Sequence, residues 1–545
     1  MEQLNILVAD SIKQLFDIDV DVVFSQTDER FGDFATNVAL QIAKQVGKSP
    51  REIAEAIAKS ITGEIIIKVD VAGPGFINIT LSDTSLYSFT KLDVKKPLSD
   101  KSVVIETNNP NPFKSMHIGH AFNAIIADTL ANLIEVAGAS TYRVSYHGDV
   151  GLHVGKSMYS LLNYVAGHPE KLDDIPVEER NTFMSKMYAE GSTAYKNNPQ
   201  AKEDIEELTK QSFTREDPVY ALVYEKCKTW SFEQIDRDVI RLGNKPTERR
   251  FLESDAEVRG IKIVHDNTPG VFKQSEGAII FEGSKYGSFD NAFISARGTG
   301  LYASRDLGLM QLKDEYYHPY RSYIVTAEEQ RDYFKGVIMA SELCNPSSKG
   351  VTVNIPTGTV KLPTGKMSSR DGDVVDIAWL FDEVAKAITA RGGKPDDQSV
   401  AAVLRYQFLQ VRIGGDVVFD INEAVSVTGN SGPYLQYAHA RARSILAKVD
   451  EVQDKPLQGL WPDERSLLRK ISQFNEVVNK SVNEMLPHHI CNYLYELSQA
   501  FNRFYEKNRV IEDERQDIRL KLVLLYADTI KSGLELLGIH APDKM

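Results

Sequence analysis

The sequence predicts a multidomain α/β protein: a small α+β unit, then a parallel-sheet unit with a long insertion, then an all-helical C-terminal region. Three observations carry this. At 545 residues and 61.0 kDa the chain is too long for one ordinary core, so about two to four domains are expected. From Ser102 onward, short β-branched runs ("VVIET", "TYRVSYHGD", "RSYIVTAEEQ", "GVTVNIP") alternate with helical stretches, as in a parallel sheet joined by crossover helices. Beyond residue 385 the period turns helical and stays so, in "AAVLRYQFLQVR", "YLQYAHARARSILAKV" and "RLKLVLLYADTIKSGLELLG".

In chain order, residues 1–95 form the first unit. An opening helix and the turn "DERFGDF" lead into a second helical run, then into the strand-like "IIIKVDVAGPGFINITL", broken by Gly-Pro-Gly. The polar, proline-bearing "KLDVKKPLSDK" reads as a linker. Residues 100–380 form the sheet unit, interrupted at about 155–295 by charged helices and a β-like piece from "GIKIVHDN" to "GAIIFEG". Residues 385–545 form the helical unit. No internal repeat or low-complexity tract is present.

A hydrophobic content of 42% and a charged content of 26% are those of a soluble globular protein. No apolar run is long enough to span a bilayer, and the acidic, amphipathic N-terminus is unlike a targeting peptide. Cys227, Cys344 and Cys491 lie far apart without a CxxC pair, so neither a disulfide framework nor structural zinc is expected, and a reducing cytoplasm fits best. A net charge of -13 counts against a polyanionic partner. Residues 401–545 are nearly neutral, however, and contain "HARARSILAK", a local patch that can still meet phosphate.

The chemistry concentrates at "NPNPFKSMHIGH", residues 109–120, between a short strand and an apolar helix. That geometry places phosphate at a helix N-terminus. His117 and His120, three apart, share one side of the first turn and can both donate to phosphate oxygens. Gly119 leaves room for a flat adenine near the backbone. An isolated His-x-x-His is more often a surface turn; the strand-loop-helix context and a second motif tip the balance. That motif is "PTGKMSSRDG", residues 363–372, where Lys366, Met367, Ser368 and Ser369 form a loop suited to clamping a triphosphate. Alone it is equally a solvated loop.

"HIGH" followed by "KMSSR" across an α/β unit resembles the paired signatures of class I aminoacyl-tRNA synthetases. The resemblance narrows to the arginyl-tRNA synthetases and covers essentially the whole chain, through "GDFATNVAL", "NNPNPFKSMHIGH", "HGDVG", "LYASRDLG", "GPYLQYAHARARSIL" and "LLGIHAPDKM". It implies a Rossmann-type catalytic domain, an added N-terminal domain contacting the tRNA elbow, and a C-terminal anticodon-binding bundle. For the N-terminal unit a mere stability or dimerisation role stays open. The implied activity is ATP-dependent activation of L-arginine to arginyl-adenylate and transfer to the 3′ end of arginine tRNA. Mg²⁺ would arrive with ATP, without a dedicated protein site. The chain is expected to act as a monomer without membrane contact.

Reading a guanidinium needs planar acceptors, and Tyr302 and Asp306, four apart on a predicted helix, face one way. Such spacing commonly marks a surface pair. The resemblance implies that these two hold the guanidinium with Glu253 assisting, and that Glu106, Asn111 and Gln330 hold the amino acid's other end. Asp149, in "HGDVG" at the sheet's C-terminal edge, is expected to touch arginine or ATP. One departure stands out. The second signature usually carries another lysine where Ser369 stands, and family members lacking it carry one just upstream of the first signature, where Lys114 lies. For tRNA, Tyr434, Tyr437, Arg441 and Arg443, with His439 among them, could stack on bases and meet phosphates. The competing reading is helical core packing. Rival functions are a glutamyl or cysteinyl synthetase, a non-catalytic tRNA-binding paralogue and a small-molecule nucleotidylyltransferase. The absence of a thiol cluster counts against a cysteinyl enzyme, the intact signatures against the paralogue and the long helical region against the nucleotidylyltransferase.

Overall fold

The computed structural model describes residues 2–363 and 375–545. The first unit is a four-stranded antiparallel sheet backed by helices Glu2–Phe16, Val38–Val46 and Pro50–Ser60, with a core of its own. Arg465, from the C-terminal region, ties it down through Asp33 at 2.6 Å and Asp83 at 2.5 Å.

The central sheet is parallel throughout. Its strands, in chain order, are β1 (Ser102–Glu106), β2 (Ser140–His147), β3 (Arg249–Leu252), β4 (Arg321–Ala327) and β5 (Thr352–Thr357). Across the sheet they run β3-β2-β1-β4-β5. The order reverses between β1 and β4, and open α/β sheets bind ligands in the crevice outside the strand ends at such a point. Helix α1 (Ile118–Val136) crosses from β1 to β2 and is buried on nearly every side, which accounts for its all-round apolar sequence.

The interruption expected at 155–295 is divided in two. Helices from Leu152 to Arg241 form one block with its own core; the chain then returns to the sheet edge as β3. Helix α2 (Glu253–Asp266) follows, then a three-stranded antiparallel sheet ending at Ile294. Four residues, two of them arginines, carry no readable alternation, so β3 is invisible to a periodicity argument. Helix α3 (Tyr302–Tyr317) packs on α2 and leads into β4.

The C-terminal helices include α4 (Asp397–Leu409), α5 (Gly432–Leu446) and α6 (Gln516–Leu536). They do not form a separate core. The largest hydrophobic cluster runs unbroken from Val103 and Ile105 through α1 to Tyr526 and Leu537, with Phe122 of α1 edge-on to Phe408 of α4 at 5.3 Å.

Candidate active site

A cavity of about 520 Å³ opens at the reversal point, between the C-terminal ends of β1 and β4 and the start of α3. Three deep-set carboxylates face it. Glu106 closes β1, is buried, and holds Lys313 Nζ at 2.6 Å while accepting from Asn109 Nδ2 at 2.7 Å. Glu253 opens α2 and pairs with Arg305 Nη1 at 3.0 Å; Arg305 Nε reaches Glu257 at 3.1 Å. Asp306 lies on the cavity side of α3 and accepts from Tyr333 Oη at 2.5 Å. No ion pair reaches Asp306 among the described residues. Burial pushes its carboxyl up to about 7, with Glu106 and Glu253 adding to the rise and the Tyr333 bond opposing it.

Six of the seven residues expected to meet arginine line this cavity: Glu106, Asn111, Glu253, Tyr302, Asp306 and Gln330. Asn111 Oδ1 accepts from Gly148 N at 2.8 Å, and Tyr302 stands at the rim, 70% exposed. The seventh, Asp149, does not line it. It is fully buried and its carboxylate is taken up by Ser254 N (3.0 Å), Ser254 Oγ (2.8 Å) and Tyr224 Oη (3.1 Å). Leu252, at the N-cap position of α2, has no side chain able to cap, and Asp149 supplies the missing acceptor from another segment. A Gly-Asp turn at a sheet edge looks the same in sequence whether its acid faces ligand or helix.

Beside the cavity, α1 begins at the histidines. The His117 and His120 rings stack with centroids 3.6 Å apart. Each Nδ1 accepts from the other residue's backbone N–H at 3.4 Å. A ring accepting at Nδ1 carries its proton on Nε2. Two Nε2–H donors are therefore left for a ligand at the helix N-terminus. Burial, then the Lys114 charge, lowers His117 to about 4; burial, His117 and Lys114 hold His120 well below its ordinary value. Both are neutral donors at neutral pH. Gly119 has a local reason to be glycine: a Cβ there would press on the His117 ring at 3.2 Å.

Lys114 sits on a loop held by the helical insertion. Phe113 takes a left-handed φ of +66°, stacks on Tyr224 at 5.3 Å, donates its N–H to Ser231 Oγ and accepts from Ser157 Oγ. Burial lowers the Lys114 ammonium, with Glu253 opposing. Lys366, Met367, Ser368 and Ser369 lie outside the described residues. The chain that follows them returns at Val375, whose carbonyl accepts from Ile118 N at 2.9 Å, and Ile377 N donates to Met116 O at 3.0 Å.

Of the residues expected at tRNA, Tyr434 is mostly enclosed by the bundle. It is 8% exposed, accepts from Asn502 Nδ2 at 3.0 Å and packs edge-on to Tyr495. It lies on the same face of α5 as Ala438 and Ala442. Tyr437 is 47% exposed; Arg441 lies 4.6 Å over the Tyr505 ring, and Arg443 pairs with Asp543 at 3.1 Å. His439 is buried against the Pro542 carbonyl. Sequence reasoning missed Tyr333, Lys313, Arg305 and Asn109. Arg305 adjoins Asp306 and Lys313 lies two turns further on, both findable by helical spacing; Tyr333 had no signal.

Family models match along the chain: "Arginyl tRNA synthetase N terminal domain" over residues 2–81, "tRNA synthetases class I (R), catalytic domain" over 84–406, and "DALR anticodon binding domain" over 435–545. The arginine–tRNA ligase of Idiomarina loihiensis is 30% identical, with 100% of each chain covered. That of Crocosphaera subtropica is 28% identical over 100% of this chain and 99% of its own. Among solved structures, Thermus thermophilus arginyl-tRNA synthetase superposes with a TM-score of 0.80 at 21% identity over 100% of both chains. The Plasmodium falciparum enzyme gives 0.79 at 21% identity, covering 100% of this chain and 99% of its own.

Proposed function

The chain belongs to the arginyl-tRNA synthetase family, and from that premise we propose how its residues divide the work of charging tRNA with arginine. The protein is an arginine–tRNA ligase: L-arginine and ATP give arginyl-adenylate and pyrophosphate, and the arginyl group passes to the 3′ end of tRNA. One observation carries the assignment of the amino-acid site. Of the three deep-set cavity carboxylates, Glu106 and Glu253 each hold a cation of the protein's own, whereas Asp306 holds none among the described residues. Asp306 is the guanidinium receptor, Tyr333 fixes its rotamer, and Tyr302 closes over it from the rim. A planar fork suits a carboxylate bidentately where a lysine ammonium does not.

Glu106, Asn111 and Gln330 take the α-amino end and turn the α-carboxylate toward the start of α1. There it attacks the ATP α-phosphate. The Nε2–H groups of His117 and His120, with the helix N-terminus and Lys114, stabilise the charge that builds on the phosphate oxygens. Lys366 and the serines after it would act on the β- and γ-phosphates. Mg²⁺ would come as part of the ATP substrate; among the described residues no group of three or more His, Cys, Asp or Glu is placed to hold a metal. Tyr437, Arg441 and Arg443 are assigned to the anticodon side, residues 1–95 to the tRNA elbow, and the whole protein acts as a cytoplasmic monomer. Asp306→Asn tests the receptor. Loss of a charge-assisted bond of about 1.5–3 kcal/mol should raise the arginine KM in pyrophosphate exchange roughly 10- to 100-fold and leave the ATP KM alone. An unchanged arginine KM would remove Asp306 from the site.

A further inference from the structure

Arg405, midway along α4, is fully buried. Its guanidinium touches three stretches of chain far apart in sequence. Nη2 donates to Asp128 Oδ2 and Thr129 Oγ1 of α1, both at 3.0 Å. Nε donates to the Leu537 carbonyl at 2.7 Å, just beyond the end of α6. Nη1 donates to the Leu242 carbonyl at 3.2 Å and to Asn244 Oδ1, where the helical insertion returns to the sheet. A second buried arginine, Arg143 of β2, holds the other Asp128 oxygen at 3.0 Å. Gly538, at φ +69°, leaves the space the guanidinium fills, since a Cβ there would overlap it.

Such a cluster is a costly way to hold helices together. Removing ions from water offsets most of their attraction, and apolar side chains of the same volume often serve stability as well. What an arginine fork adds is geometry: five directed bonds define the mutual position of three units, where greasy contacts would let them slide. Asp128 stands roughly 15 Å along α1 from its first residue, on the helix that begins at the stacked histidines.

We propose that Arg405 is a positioning residue for adenylate formation: it fixes α1, and with it the Nε2–H groups of His117 and His120, relative to the C-terminal bundle and the insertion. The placement of the phosphate-binding end thereby depends on the seat of the bundle. The proposal rests on the reading of His117 and His120 as phosphate ligands, so a His117→Asn control separates the two.

Arg405→Lys keeps the charge but loses the fork. At the edge of the cluster, Thr129→Val removes the Arg405 bond together with a long one of 3.5 Å to the Leu537 carbonyl, and Asn244→Ala removes the Arg405 bond together with that from Asn244 Nδ2 to Asn108 Oδ1 at 3.1 Å. Each variant is measured as full-length protein with tRNA present, for the kcat of pyrophosphate exchange per folded molecule, the KM of arginine and ATP, the tRNA dissociation constant, and Tm. Arg405→Lys should lower kcat by about tenfold, with arginine KM and tRNA affinity within about twofold, a size usual for coupling through packed networks. Both edge variants should lower kcat severalfold at near-normal Tm. Arg405→Lys combined with Asp128→Asn should fall no further than the worse single variant. A folded Arg405→Lys enzyme with normal kcat, or two edge variants that lower Tm but not kcat, would show the cluster to be structural only. Should Arg405→Lys fail to fold, the edge variants decide. A normal rate in His117→Asn would instead overturn the histidine assignment, whatever Arg405 does.

Discussion

Asp306 stands well above an ordinary carboxyl's pKa, at about 7, and burial is the first cause. A folded pKa above the unfolded one means that the folded protein binds a proton the unfolded chain gives up. The empty enzyme therefore loses stability as pH rises from about 4 to about 7, by on the order of 4 kcal/mol for the whole shift. An arriving guanidinium favours the ionised carboxyl and removes that penalty. Arginine affinity should consequently rise about tenfold between pH 6 and pH 7.5, read by calorimetry against a pH-independent ATP affinity, and the rise should vanish in Asp306→Asn. The same variant should raise the Tm of the empty enzyme more at pH 8 than at pH 5. A flat arginine profile would mean that Asp306 is ionised in the empty site.

Lys114 is the other single residue on which much depends. Pro110 and Pro112 fix backbone torsions around it, and Phe113 is clamped by Ser157, Ser231 and Tyr224. The backbone that carries Lys114 is therefore fixed before ATP arrives, so that ordering its side chain on binding costs little backbone entropy. Lys114→Ala should slow adenylate formation by about 10²–10³, the cost of one transition-state donor, with arginine affinity barely changed. Adding Ser369→Lys should restore part of the rate. Normal pre-steady-state adenylation in Lys114→Ala would leave the prolines and lysine with the turn alone. How legible these residues were followed from their geometry. Helical spacing puts Tyr302 and Asp306 on one face but only the family resemblance gives them a role, and the histidines stand out by their place after a strand together with the second motif. Tyr333 comes from a different helix and meets Asp306 only in three dimensions, which no one-dimensional pattern encodes.

At the scale of elements, the signals that survived were long and periodic. Helix α1 and strands β1, β2, β4 and β5 all lie where alternation put them. The four-residue β3 did not show, because its edge position leaves two arginines outward, over Tyr316 and Phe232. The bonds of Asp149 are hidden for a related reason: they go to a helix more than 100 residues on, which Leu252 leaves uncapped. Those bonds make a prediction about an element rather than a ligand. Asp149→Ala should unwind the first turn of α2 and leave Ser254 unpaired, while Tyr224 Oη keeps its 2.9 Å bond to the residue 149 carbonyl, costing about 2–3 kcal/mol. Because Glu253 sits on that turn, arginine KM should rise as well, whereas ATP binding at α1 should not change. Denaturant midpoints together with both KM values check this; a variant with lower stability and an unaltered arginine KM would detach Glu253 from the site.

For the whole molecule, sequence divides the chain into three units and physical packing does not respect the division at residue 385. The composition change there is real, but α1 is apolar on all sides, and a helix of that kind must be covered on all sides. The bundle covers it: Phe408 meets Phe122, and the cluster from Val103 to Leu537 is continuous. The C-terminal helices also carry Arg465, which holds the N-terminal unit, and Arg405, which holds α1. A protein ending near residue 385 would bare much of this cluster at once. Such a truncation should therefore not yield a folded ATP-binding module lacking only tRNA charging; it should lose cooperative unfolding, bind apolar dyes and aggregate. Circular dichroism melts and size-exclusion chromatography of the truncated chain measure this directly. A monomeric, cooperatively melting 1–385 protein that binds ATP would mean that the shared core is dispensable. In that case the bundle would be an appendage, able to recognise tRNA without any mechanical claim on the histidines at the start of α1.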